Sequence, residues 1–299
     1  QWLREVGGVL WFLGVLLFVG AIAWTIRDNP LGRETATSEA NEDRRPVDRV
    51  ANAFMPVALL YLLIGSYETM AAPPGLPTLV GAYPPRVTHL LAAGTAGLLL
   101  FAIGFRLLPR FLVAHPPRWL VWIVLPLGAL GPGLIAISLP AGPLFVVGAI
   151  IEAIAVTGFA LAYLVLFIRS DRRRVGFYAV LVGVIAGTIG VLLGVMFGLG
   201  HYEPRLIRAH YRLNLLGFLG LSVIGVAYQF YPPGVATFFG GGDRTAYSAI
   251  ALLGAGLGIE VVGLTAGLPG LETGGRLLAL AGATIHATLL VGLFYQRYG

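Results

Sequence analysis

Nine apolar runs, each about as long as a bilayer is thick, constrain this chain more than any other feature. A hydrocarbon core of about 30 Å needs roughly 20 helical residues to cross it. Runs near that length fall at approximately 6–26, 50–70, 86–108, 119–138, 144–168, 175–199, 208–231, 246–267 and 276–296. Inside lipid every peptide N–H and C=O must find a partner within the protein, which leaves helices or closed barrels, and barrel strands are about half as long as these runs. The expected fold is therefore all-α and integral to a membrane, with about nine spans. A chain that is 57% hydrophobic and 11% charged suits that solvent.

A four-helix pattern occurs twice. Gly148-Ala149-Ile150-Ile151-Glu152-Ala153 reads against Gly282-Ala283-Thr284-Ile285-His286-Ala287. Earlier in each copy, His89-Leu90-Leu91-Ala92-Ala93-Gly94 reads against Arg212-Leu213-Asn214-Leu215-Leu216-Gly217, and both segments continue fifteen residues to a proline, Pro109 and Pro232. The expected organisation is a leading helix over 1–26, a polar linker over 27–49, and four-helix repeats over 50–170 and 171–299. An even number of helices per copy makes the repeats parallel, whereas many secondary transporters use inverted ones. The linker mixes charges without apolar periodicity, which reads as a solvated segment. Glycines at 183, 187, 190 and 194 have the spacing that lets helices pack closely.

Composition removes several kinds of chemistry. Without cysteine there is no disulfide, iron–sulfur cluster or thiolate metal site. Without lysine there is no retinal-type Schiff base. The net charge of +6 comes from 20 arginines placed in short loops beside helices, a topology signal rather than a nucleic-acid footprint. Fourteen follow odd-numbered spans or precede even-numbered ones, and six lie on the other side. The richer side is expected to be cytoplasmic, with the N-terminus outside the cell membrane. The chain opens on Gln, which reads as a processed or partial start, and the first span as an uncleaved signal-anchor. Trp2, Trp24, Trp119, Tyr228 and Tyr231 fall near span ends, where amphipathic rings anchor to the interface.

An ionisable residue inside a span is costly and is a functional candidate by default. Histidine is the usual axial ligand of a membrane b-type haem, one ring nitrogen on iron and the other held by a hydrogen bond. His89, His210 and His286 fall within spans three, seven and nine, the first two near the outer ends and His286 about ten residues in. His201 and His115 lie in loops, and a surface role suits His115. Small residues beside His89 (Ala92, Ala93, Gly94, Gly97) and His286 (Gly282, Ala283, Ala287) leave room for a porphyrin. The competing account is histidines bonded to helix backbones or interfacial water. Glu152 and Glu260 should be partnered or protonated, since an isolated buried carboxylate is expensive. Glu152 can gate protons, pair with an arginine, or bond a neighbouring helix. Arg212 can meet a haem propionate, a quinone headgroup or Glu260, or simply snorkel to the interface. Asn214 is expected to tie helices together.

The segment from Arg208-Ala209-His210-Tyr211-Arg212-Leu213-Asn214-Leu215-Leu216-Gly217 to Tyr228-Gln229-Phe230-Tyr231-Pro232-Pro233 resembles a helix of the haem-copper oxidase catalytic subunit superfamily, and 86–109 resembles the same helix. The resemblance implies parallel four-helix arcs, of which two are visible here rather than three, and bound haem. Where many relatives have His-x-His this chain has His210-Tyr211-Arg212, and no adjacent His-His pair or His-plus-Tyr helix is present to build a copper site. Copper and oxygen reduction are therefore not expected. The resulting expectation is a b-haem protein for electron transfer or diatomic-gas binding. Its preferred ligands are His89 with His286, His210 substituting for either, and its partner is an external redox protein or quinol. The alternatives are a non-haem proton or ion transporter using Glu152, Glu260, Arg212 and His286, or a structural subunit packed against other membrane subunits of a respiratory complex.

Overall fold

The computed structural model describes residues 2–299, and among them nine helices are long and apolar enough to cross a membrane. They are α1 (Trp2–Thr25), α2 (Arg45–Ala71), α3 (Pro84–Leu112), α4 (Arg118–Ser138), α5 (Phe145–Arg169), α6 (Val175–Gly198), α7 (204–230), α8 (Asp243–Ala266) and α9 (Pro269–Tyr298). The connections are short, apart from 26–44. The many large apolar side chains left exposed along the helices, Leu17, Phe18, Leu161 and Val291 among them, suit a lipid bilayer rather than water.

Prolines set several helix ends. Pro84, Pro204 and Pro269 stand in the first turn of α3, α7 and α9, where the missing N–H costs nothing. The last of these lengthens α9 beyond its expected start at 276, so His286 lies seventeen residues into the helix rather than ten. Both α3 and α7 change winding partway. Residues His89–Gly97 and Leu213–Leu221 form nine-residue π-helices, each flanked by ordinary α-helix. Such segments are rare and gather at functional sites.

The chain divides into two compact units, 1–162 and 163–299, and the division falls within α5. In the first unit α1 is not a detached leader. Trp11 Nε1 donates to Ser66 Oγ at 3.1 Å, and the Phe12 and Tyr67 rings meet edge-on at 5.9 Å. The polar linker is also tied down more than a solvated tether would be. Asn52 Nδ2 donates to Gly32 O at 2.9 Å, Arg49 Nε to Arg33 O at 3.1 Å, and Thr37 Oγ1 to the buried carboxylate of Asp48 at 2.6 Å. Asp48 in turn receives Arg110 on both oxygens, at 3.1 and 2.6 Å. A carboxylate with this many donors holds both the linker and the α3 end.

In the second unit, small residues let helices approach to backbone contact. Gly183, Gly187, Gly190 and Gly194 of α6 receive Ser222, Phe218, Asn214 and His210 of α7. Between α8 and α9, a Cβ on Gly256, Gly263 or Gly275 would strike the facing backbone at Ala279, Glu272 or Glu260.

Candidate functional site

In the second unit the closeness of α8 and α9 decides the charge arrangement. Glu260 of α8 is fully buried and lies against Gly275, so its carboxylate is within reach of the next residue, Arg276. Arg276 Nε donates to Glu260 Oε1 at 3.0 Å, while Arg212 of α7 donates to Oε2 through Nε at 3.0 Å and Nη2 at 2.7 Å. Glu272 extends the network, pairing with Arg276 and, at 3.2 Å, with Arg208. Of the partners open to Arg212 on sequence grounds, the structure supplies Glu260. Two of its five N–H groups are spent there, so a propionate or quinone oxygen would be left with the other three, on Nη1 and Nη2. Glu260 is a partnered carboxylate, and both of its oxygens accept charged donors.

His210 is held in the α6–α7 seam. Its Nδ1 lies 2.7 Å from Gly190 O, and the Phe197 ring meets it edge-on at 5.5 Å. Asn214 does not tie helices together by a cross-helix bond as expected. Its Nδ2 donates to His210 O in its own helix at 2.9 Å, because the side chain seats against Gly190 one turn along. His286 meets Tyr228: Nδ1 and Oη are 2.8 Å apart, with the rings edge-on at 5.2 Å. Tyr228 is 2% exposed, so it is a buried partner and not an interfacial anchor, whereas Trp2, Trp24 and Trp119 are exposed.

His210 and Tyr228 are eighteen residues apart on α7, on the order of 20–25 Å once the shorter rise of the π segment is allowed for. His210 and His286 therefore cannot both ligate one iron, which removes His210 as the substitute partner of His286. Two of the glycines expected to clear space for a porphyrin are already filled. The Tyr61 ring covers Gly94, and the α8 backbone at Ala249 and Leu253 covers Gly282.

In the first unit His89 begins the π segment of α3, with Nδ1 2.7 Å from Pro85 O. Glu152 of α5 lies against Gly131 of α4, where a Cβ would stand 2.6 Å from its Oε2. That oxygen is buried and has no hydrogen-bond partner among the described residues. Glu68 is a further buried carboxylate, absent from the residues singled out in the sequence although it lies within the expected 50–70 span. The signal was present, a lone acid inside an apolar run. Its Oε1 accepts the N–H groups of Leu79 and Val80 at 2.5 and 3.2 Å, while Oε2 is buried without a partner. His115 pairs with Asp43 at 2.5 Å in a surface groove lined also by Arg44, Arg110 and Arg118, and His201 is exposed.

The ring chemistry fits axial ligation at His89 and His210. A carbonyl only accepts, so Nδ1 is the donor in both, and the neutral ring carries its lone pair on Nε2, the form of a metal-ligating histidine. At His286 the partner is a phenol, which donates or accepts, and the tautomer is not fixed. No group of three or more His, Asp or Glu side chains arranged to hold a metal ion occurs among the described residues. No protein-family model, curated protein or solved structure matches the chain.

Proposed function

We propose that this chain is a membrane-embedded b-type haem protein for electron transfer or diatomic-gas binding, a divergent relative of the haem-copper oxidase catalytic subunit without its copper centre. The observation that carries the reading is the backbone carbonyl at Nδ1 of both His89 and His210. It orients each ring and, in the neutral form, places the lone pair on Nε2. The two histidines are the sixth and seventh residues of α3 and α7, which share a proline start and a π segment. The π segments are offset by 124 residues, one more than the 123 of the sequence repeat, which supports reading the helices as copies. A bound haem supplies one-electron chemistry and an open or exchangeable iron coordination site, while the protein supplies axial nitrogen and an apolar surround. His286 enters as a second-rank candidate behind His210. The natural partner is a redox protein or quinol on the arginine-poor face, in a cell membrane with the N-terminus outside.

The test is a dithionite-reduced minus oxidised absorbance spectrum with a pyridine haemochrome assay on protein made with haem supplied. A sharp α band that is lost in His89→Ala or His210→Ala supports the reading. Haem-free protein under those conditions overturns it.

A second reading, haem-free proton or ion transport, is favoured by a specific observation: Glu68 and Glu152 each carry a buried oxygen with no partner among the described residues. Flux across liposomes by haem-free protein, abolished in Glu152→Gln, supports it, and absence of flux counts against it.

A further inference from the structure

We propose that Glu152 is an exchangeable proton-binding site, a carboxylic acid that holds a proton in the α4–α5 seam and trades it with water. The inference rests on the geometry around one side chain and does not require haem. It deepens the transport reading by naming the ion and the group that carries it.

The seam is built from four successive close contacts between antiparallel helices. Gly148 lies on Ile135, Glu152 on Gly131, the Ala155 methyl near Gly128, and Gly158 on Val124. Apart from Glu152 itself, the residues in these four contacts are glycine or hydrocarbon. The residue is 8% exposed, and Oε2 has no donor and no acceptor within hydrogen-bond distance among the described residues. Among the described residues no arginine or histidine forms an ion pair with it, in contrast to Glu260, which has two guanidinium groups. From α2, packed on α4, the Tyr61 phenol approaches Glu152 but donates to Ala129 O at 2.5 Å.

A carboxylate buried without a countercharge or a donor must either acquire a cation or bind a proton. The seam decides between them. At Gly131 the helices are so close that even a methyl group would stand 2.6 Å from Oε2 and 3.1 Å from the Glu152 backbone N. A sodium or calcium ion needs several oxygens around it, and no such ion fits between Oε2 and Gly131. A proton needs no volume. Gly131 thus closes the α4 side of Oε2 to any larger cation.

Infrared spectroscopy of the full chain in lipid at neutral pH tests the proposal. The difference between wild type and the isosteric Glu152→Gln should contain the carbonyl stretch of an un-ionised carboxylic acid, and transfer to D2O should shift that band to lower frequency. Glu152→Asp, which retains an acid, should move the band without abolishing it, and Glu260→Gln should leave it in place. A difference spectrum showing only carboxylate bands overturns the proposal, as does an acid band that never shifts in D2O. Liposome flux separates the proposal from the transport reading. An exchanging acid band without proton flux leaves the site standing and overturns transport, whereas flux that persists in Glu152→Gln while the acid band is absent overturns the site alone.

Discussion

Arg212 closes on Glu260 through two bonds to one carboxylate oxygen, Nε at 3.0 Å and Nη2 at 2.7 Å, while Arg276 takes the other oxygen. The two sides of this pair are unequal. Glu260 is fully buried, and the Arg212 side chain is 28% exposed. Removing Arg212 leaves the buried acid with Arg276 alone, on one oxygen, whereas removing the acid leaves guanidinium groups that can turn toward water. Arg212→Leu is expected to cost about 2–3 kcal/mol of stability, and Glu260→Gln less than that. Thermal unfolding in detergent checks the order, and the double variant should recover part of the Arg212→Leu loss.

Neighbouring glycines on α9 should respond to alanine in opposite directions. A Cβ at Gly274 meets open space, so Gly274→Ala should stabilise by about 1 kcal/mol through helix propensity alone. A Cβ at Gly275 would strike the Glu260 backbone, so Gly275→Ala should destabilise by about 1–3 kcal/mol. Equal effects in the same melting assay would refute the close approach of α8 and α9.

Tyr228 and His286 share one hydrogen bond in a largely apolar setting. Tyr228→Phe removes the hydroxyl and little else, with an expected loss of about 1 kcal/mol. The same variant reports on ligation. A haem spectrum that changes on Tyr228→Phe assigns an axial role to His286, and an unchanged one leaves His89 and His210 as the ligands.

Asp48 anchors both the 26–44 connection and the end of α3. Asp48→Asn loses the charge that Arg106 and Arg110 face, at 3.7 and 2.6 Å, and weakens the Thr37 contact. Trypsin cleavage at Arg27 and Arg33 should then accelerate roughly tenfold or more, the equivalent of about 1.4 kcal/mol of easier local opening. Mass mapping of the first fragments reads the outcome.

The helices were legible in the sequence, and so was the choice of candidates among the rare ionisable residues within spans. Apolar length and the need to pair every peptide group in lipid depend on the chain alone, which is why nine spans of the expected order reappear as nine helices. The π segments had no such signal, since the winding of α3 and α7 depends on what packs against them. Partner choice was equally out of reach. Glu152 and Glu260 look alike in sequence, two single acids in apolar spans. Glu260 finds Arg212 and Arg276 because α8 and α9 touch at glycine, whereas Glu152 faces Gly131 and its Oε2 has no partner among the described residues. Tyr228 looked like an interfacial anchor until His286, 58 residues further on, was folded against it. Span length is a property of each segment alone. The partner of a buried polar group depends on which helix faces it, and only tertiary packing sets that.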